Sequence, residues 1–308
     1  MRPIFKYTLL VVAFVMFSAN LFGIEKERVV KKSFKANSST ELNVENSFGD
    51  VNVESYSGNE IYIEVKIWAK GSSEERLTKF INDIDINFKE SIDMLRVKTS
   101  NISNNGKVDK FRVDYKVKVP YDNDLAIKNS FGNVYIAKHK AKVELDVSHG
   151  DFEIGSLLNE SNEIELKFGD GEIEEFKSGE LDLSHSKLSI GKAYGLILES
   201  KFSNTKVERV EGDIKAKVSH GGIVAKKVAK GFNSIAVKAD FSKVKLYLDE
   251  SAAYSFNYKG SFSSFNKPNG IEIKSREKGY TSEAIQGEYN GGGSEVKVMI
   301  SHSSLSLD

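Results

Sequence analysis

The sequence contains no cysteine among its 308 residues. No disulfide can staple the fold, no thiolate can serve as nucleophile or zinc ligand, and no lipid-modified cysteine can anchor the chain. Proline is nearly as scarce, with only Pro3, Pro120 and Pro268. Because proline removes a donor from a sheet ladder, so few of them suits a body built of strands. Net charge is absent too, at 44 Lys+Arg against 44 Asp+Glu. That balance lacks the basic excess a phosphate backbone calls for, so nucleic acid is not an expected partner. Long apolar runs are limited to one, from Tyr7 to Phe17, well below the roughly 18 residues that read as a membrane span. Arg2 and Lys6 flank its start and Ser18-Ala19 follow it, which is the layout of a secretory signal. Residues 1–23 are therefore expected to be removed, with cleavage near 19–23, leaving no stable membrane span. The expected location is the periplasm, the outer surface or the extracellular medium.

What the chain has instead is one phrase repeated ten times. An alternating apolar stretch ends in Phe or His, and a small residue follows. The ring positions are Phe48, Phe131, His149, Phe168, His185, Phe202, His220, Phe241, Phe262 and His302. The small residues are Gly49, Gly132, Gly150, Gly169, Ser186, Ser203, Gly221, Ser242, Ser263 and Ser303. From Phe131 to Phe262 the steps are 18, 19, 17, 17, 18, 21 and 21 residues. A repeat this short cannot bury its own apolar face and must stack on copies of itself. Leu145 and Val147, or Ile164 and Leu166, show the period of two that marks strands. After the small residue the apolar phase shifts, as in Phe152-Ile154 and Leu188-Ile190, so that residue reads as a corner between two strands. The fold class expected is all-β, a single-stranded, right-handed β-helix or β-solenoid with coils of about 17–21 residues, plus a short helix near 73–82.

Extended through the ring position, the period of two puts Phe and His on the interior face, as one buried ladder with imidazole at every second rung from Phe131 to Phe241. Side-chain volumes fit that reading. Two residues before the ring, Phe rungs carry Asn46, Asn129, Ser200, Ala239 and Gly260, whereas His rungs carry Val147, Leu183, Val218 and Ile300. Phe168, preceded by Leu166, is the exception, and Gly171 is the compensation expected there. The ladder and corner residues are thus expected to be structural, and a buried ladder of neutral histidines predicts loss of stability in acid. Histidines two coils apart lie about 9.6 Å from one another, too far to share a metal.

Other candidates for chemistry are weak. The sequence has no GxSxG, HExxH or P-loop. Asp170, Glu172, Glu174 and Glu175 are the acids that neighbouring coils can place together for a glycosidase-like pair, but nothing in their spacing selects them. Asp122-Asn123-Asp124 and the Gly-Asp turns at Asp50, Asp151 and Asp170 invite calcium, yet each Gly-Asp turn supplies a single acid and all fit ordinary turn chemistry. No catalytic, cofactor or metal residue is expected, and no cofactor. Tyr254, Phe256, Tyr258, Phe262, Phe265, Tyr280 and Tyr289 make the late region aromatic, and any exposed strip there is a candidate partner surface.

Residues 24–124 read as N-terminal strands and a capping elaboration. Ser72-Ser73-Glu74-Glu75 opens a helix with Leu77, Phe80, Ile81 and Ile84 on its apolar face, placed to cover an open solenoid end. Residues 125–308 read as the regular solenoid with a strand-rich C-terminal end, continuous with 24–124 as one domain.

The phrases Asn129-Ser130-Phe131-Gly132, Val147-Ser148-His149-Gly150, Lys201-Phe202-Ser203-Asn204 and Ser219-His220-Gly221-Gly222 resemble those of a bacterial family labelled “putative adhesin”, common in Bacteroidetes. The resemblance covers residues 40–308 and is strongest over 125–250. It implies a single-chain β-helix of an exported or envelope protein and carries over no functional residue, because the matching positions are architectural. The function expected is a non-enzymatic envelope or surface protein presenting a rigid face to an unknown protein or glycan. A periplasmic structural or sensory partner of a membrane system and a polysaccharide-active enzyme are the alternatives. The sequence leaves the oligomeric state open.

Overall fold

The computed structural model describes residues 23–104, 106 and 108–307. The expected signal lies outside them except for Gly23. The described chain is strand throughout but for one helix and connecting turns, and it divides into two compact units, one ending at Ile136 and one beginning at Ala137.

The first unit contains β1 (Ile24–Lys35), β2 (Glu41–Ser47), β3 (Val51–Tyr56), β4 (Glu60–Gly71), helix α1 (Glu74–Asp83), β5 (Asp85–Glu90), β6 (Met94–Ser100), β7 (Lys110–Pro120), β8 (Leu125–Ser130) and the start of β9 (Val134–His139). One sheet runs β1-β4-β7-β3-β9, antiparallel across β1, β4 and β7 and parallel from β7 to β3 and β9. The other runs β5-β6-β2-β8, with β5 antiparallel and the rest parallel. Helix α1 starts where its sequence says it should. The Ser73 hydroxyl accepts the Arg76 N–H, Glu74 and Glu75 fill the first turn, and Leu77, Phe80 and Ile81 are buried. It packs on β1 and β4, with Lys26 bridging to Glu74 at 2.8 Å and to the Thr78 hydroxyl at 2.9 Å. The unit also holds a buried polar chain: the Tyr115 hydroxyl meets Thr99, Thr99 donates to Asn46, and Asn46 Nδ2 donates to Asn129 Oδ1 and the Val113 carbonyl.

The second unit is the regular β-solenoid that the repeat predicts. Strands entering each corner are β10 (Val143–Ser148), β12 (Asn162–Lys167), β14 (Gly179–Ser184), β16 (Leu196–Lys201), β18 (Ile214–Ser219), β20 (Ser234–Asp240), β22 (Tyr254–Ser261) and β26 (Ser294–Ser301). Strands leaving are β11 (Phe152–Leu157), β13 (Asp170–Phe176), β15 (Lys187–Ala193), β17 (Asn204–Val210), β19 (Gly222–Val228), β21 (Lys243–Leu248), β23 (Ser264–Asn266) and β27 (Ser304–Leu307). β24 (Glu272–Lys278) and β25 (Ser282–Tyr289) form an added hairpin. Each coil thus gives one strand to an entering sheet and one to a leaving sheet, all parallel apart from the hairpin. Register partners such as Val147 and Leu166, Leu166 and Leu183, or Val218 and Ala239 show coils of 19, 17 and 21 residues.

The interior is filled from both sheets by alternate residues, among them Leu181, Leu183, Val218, Ile154, Ile173 and Leu246, each nearly free of solvent. Burying such a side chain contributes on the order of 2 kcal/mol, so stability accumulates coil by coil. Volume is balanced here between interior neighbours. A Cβ on Gly171 would lie 2.4 Å from the Phe152 ring beside it, and one on Gly260 would lie 2.0 Å from the Tyr258 hydroxyl. The glycines make room for rings inside the core, which corrects the expected exchange between the core and the Phe/His rungs.

The coils of the second unit depart from sequence order once. Strand β22 does not pair with β20; β26 lies between them, and β27 likewise lies between β21 and β23. The last strands of the chain are slotted into the sheet one coil before its end.

Candidate interaction surface

All ten ring positions adopt positive φ, from 46° to 64°. This left-handed conformation costs a non-glycine residue roughly 1–2 kcal/mol and is unusual for bulky side chains. It also turns the side chain out of the strand's alternation. The rings lie outside: Phe131, Phe168, Phe202 and Phe241 are 51–54% exposed, Phe262 is 60% and Phe48 39%, and His149, His185, His220 and His302 are exposed as well. The expected interior ladder is therefore corrected to an exterior one. With it falls the premise for acid sensitivity, since these imidazoles are not buried.

Outside, the rings still stack. In the second unit consecutive centroid distances from His149 through Phe168, His185, Phe202, His220 and Phe241 to His302 and Phe262 run 5.0, 4.9, 4.9, 4.7, 5.1, 4.7 and 5.0 Å, with planes within 20° of parallel. In the first unit Phe48 stacks on Phe131 at 5.1 Å, with Phe111 tilted against Phe48 at 5.2 Å. The spacing is that of parallel strands, about 4.8 Å, so each coil delivers one ring to the next. Because β26 and β27 are slotted in, His302 stands between Phe241 and Phe262, and Phe and His alternate in space along all eight rungs.

The corner that carries each ring keeps its backbone paired. The N–H of His149, Phe168, His185, Phe202, His220, Phe241 and His302 each donates to the carbonyl before the next rung. The small residue behind the ring faces inward, and where it is serine its hydroxyl works twice. Ser203 Oγ donates to the Lys201 carbonyl at 2.7 Å and accepts the Ser186 N–H at 2.9 Å. Ser242, Ser303 and Ser263 repeat the pattern. Where it is glycine, coils approach too closely for a side chain: a Cβ at Gly169 or Gly221 would lie 1.9 Å from the carbonyl oxygen of Gly150 or Ser203 in the preceding coil. Histidine rungs have a further partner in the preceding serine. Ser184, Ser219 and Ser301 share hydrogen bonds of 3.1, 2.9 and 3.0 Å with Nδ1 of the next residue.

The other candidates do not assemble into a site. Glu172 and Glu174 are exposed on the outer face of β13, and Glu175 accepts from the Tyr194 hydroxyl. Asp50 is held by Arg112 and accepts the Asn133 N–H, Asp151 accepts the Asp170 N–H, and Asn123 donates to the Asn37 and Thr40 carbonyls. These are turn closures. Among the described residues no group of three or more His, Asp or Glu converges as a metal-binding set, and no helix is long and apolar enough to cross a membrane. Of the late aromatics, Tyr254, Phe256 and Tyr258 are core, while Phe262 and Tyr280 are exposed.

Periodicity alone did not point to a shallow groove of about 530 Å³ beside the ladder, between the Lys217, Lys238 and Lys259 row and Ser219, Asp240, Ser301 and Ser261. The signal lies in register: residues three before each rung share a row only once the coils are aligned.

No family model matches the chain, and no curated protein matches it. Among solved structures, a “putative adhesin” from Bacteroides fragilis is 11% identical over 91% of this chain and 97% of its own, with a TM-score of 0.37. A “putative lipid binding protein” from Parabacteroides distasonis is 14% identical over 91% and 96%, at 0.36. A “putative cell adhesion protein” from Clostridium sporogenes is 11% identical over 92% and 99%, at 0.21. The chain thus bears a distant structural resemblance to several bacterial proteins so titled.

Proposed function

We propose that this chain is a non-catalytic, exported interaction scaffold of the bacterial envelope, which meets a protein or glycan partner along its outer corner. The observation that carries the reading is the ladder itself: an unbroken line of half-exposed rings on a rigid two-sheet body. Exposed aromatic surface is costly unless covered, and repetition keeps it at eight successive corners of the second unit. The acids weighed for catalysis stand on flat outer faces or close turns, which supports a binding role over glycan cleavage. The secretory layout of residues 1–23 supports export.

The test is capture of envelope material, beside a glycan panel, by protein expressed from its full-length sequence. Its comparison is a variant with Phe168, Phe202 and Phe241 all replaced by asparagine, which tolerates the left-handed backbone. A partner retained by the native protein and lost by the folded variant supports the reading. No partner, or one that both retain equally, overturns it.

A further inference from the structure

Beside a row made mostly of serine, with Lys167, Lys201 and Asp240, the outer face of the entering sheet in the second unit carries two rows of residues in register across eight strands, β10-β12-β14-β16-β18-β20-β26-β22. One row reads Glu144, Glu163, Glu180, Ile197, Lys215, Ala236, Lys297 and Asn257. The other reads Asp146, Glu165, Asp182, Glu199, Lys217, Lys238, Met299 and Lys259. Both change sign once, at the same place, between β16 and β18. The sequence shows the same division: residues 137–195 hold thirteen acidic and seven basic side chains, and residues 196–268 hold seven and thirteen.

Parts of the leaving sheet neutralise themselves with pairs inside or between coils, such as Lys206 with Glu208 and Lys192 with Glu211. The basic half of this face pairs only at its boundary with the acidic half, where Lys217 reaches Glu199 at 3.2 Å. Lys215, Lys238, Lys259 and Lys297 make no ion pair among the described residues, and they are exposed. In the acidic half Lys142 serves both Glu144 and Glu163, Lys167 pairs with Glu165 and Lys201 with Glu199, while the Asp182 carboxyl is pushed up by partial burial and by neighbouring Glu199 and Glu165, against the pull of Lys201 and Lys167. At the change of sign stands Ile197, a large apolar side chain 40% exposed on a charged face.

We propose that this face docks on the same face of a second copy of the chain, about a two-fold axis lying along the strands between β16 and β18. Such an axis keeps each row opposite itself and reverses strand order. Asp146 then meets Lys259 of the other copy, Asp182 meets Lys238, Glu199 meets Lys217 and Glu163 meets Lys297, each pair occurring twice, as an isologous interface requires. The two Ile197 side chains come together beside the axis, giving the apolar centre and charged surround usual in interfaces. The groove of about 530 Å³ along Lys217, Lys238 and Lys259 receives the partner's acidic row. Eight strands at about 4.8 Å by six residues at about 3.3 Å give a patch of roughly 750 Å² per copy, about the share a partner has in a standard interface. The inference is independent of what the aromatic corner binds.

The test is sedimentation velocity on protein expressed from its full-length sequence, with two charge-reversed forms. One carries Lys217→Glu, Lys238→Glu and Lys259→Glu; the other carries Asp146→Lys, Glu163→Lys and Asp182→Lys. All six residues lie on the outer face, and circular dichroism checks that each form is folded. The native chain is expected to dimerise, with a dissociation constant that rises with salt. Each reversed form alone is expected to lose at least tenfold in self-association, while an equimolar mixture of the two forms a heterodimer, because their faces are again complementary. A native chain that stays monomeric up to about 100 µM, above the micromolar constants that interfaces of this size reach, overturns the proposal. So does a dimer that survives both reversals, or reversed forms that fail to associate when mixed.

Discussion

Replacing Phe202 separates the two energies that hold a rung in place. Its ring lies between His185 at 4.9 Å and His220 at 4.7 Å, and it is 54% exposed. A phenylalanine buries about 200 Å² when fully covered, so roughly 90 Å² is lost on truncation, or about 2 kcal/mol. Two stacking contacts add about 1–3 kcal/mol. Phe202→Ala is therefore expected to cost about 3–5 kcal/mol, and it retains the left-handed backbone at φ 51°. Phe202→Gly loses the same contacts but relieves a strain of about 1–2 kcal/mol, against a chain-entropy loss of about 0.5–1 kcal/mol. The glycine form should consequently be the more stable of the two, by up to about 1.5 kcal/mol. Urea unfolding followed by far-UV circular dichroism measures this. Fluorescence does not, because the only tryptophan, Trp68, lies in β4 of the other unit. An alanine form within 1 kcal/mol of native would refute the stacking term, and a glycine form less stable than alanine would refute the strain term.

Three further outcomes follow from the corners and the core. Ser203→Ala removes the acceptor of the buried Ser186 N–H and a donor to the Lys201 carbonyl, and should cost about 1–3 kcal/mol in urea unfolding; a neutral result would mean that the serine relay does not stabilise. Gly221→Ala places a methyl 1.9 Å from the Ser203 carbonyl oxygen and should cost at least about 1–3 kcal/mol, whereas alanine at exposed Gly231, which has open space around it, should not. Tyr254 and Tyr258 are each pushed up to about 12, first by burial and then by Tyr289 and Glu283 respectively. The folded state holds those protons while the unfolded chain releases them from about pH 10, so their contribution is complete below about pH 10 and falls away towards about 12. A Tyr254→Phe, Tyr258→Phe double variant should show a shallower loss of urea midpoint across that window, and an unchanged slope would be evidence against it.

The period-two stretches, the presence of a corner in each repeat and the Ser73 cap were all legible because each is decided locally, but the left-handed turn is made by the ring residue and not by the small residue after it. The side on which the rings stand was not legible. Leu145, Val147 and His149 have the same parity, so alternation carried one residue too far predicts burial. His149 at φ 55° has already left the strand, and propensity gives no warning, since bulky rings avoid that region. The place of His302 was within reach. The rungs alternate from Phe131 to Phe241, Phe262 then breaks the pattern, and His302 is the ring that restores it when set between them. The charged rows were hidden because their members lie 17 to 21 residues apart. They emerge only after the coils are aligned by register.

The stacking also limits how the corner can meet a partner. A ring binds sugars and cations through its face, where the π density lies, and presents positive C–H edges around its rim. Phe168, His185, Phe202, His220, Phe241 and His302 each have both faces occupied by neighbouring rungs. What these six offer outward is edge: alternating phenyl rims and imidazole nitrogens at the coil spacing of about 4.8 Å. Such an edge suits a surface that lies flat across several coils better than a sugar stacked on one ring. The terminal rung differs, because Phe262 stacks on His302 through one face and is the most exposed of the rung phenylalanines. Glycan binding that depended on Phe202 alone would contradict this geometry, since its faces are taken. Binding that depended on Phe262 would agree with it and would place sugar recognition at the end of the ladder, leaving the rest of the line to a protein partner.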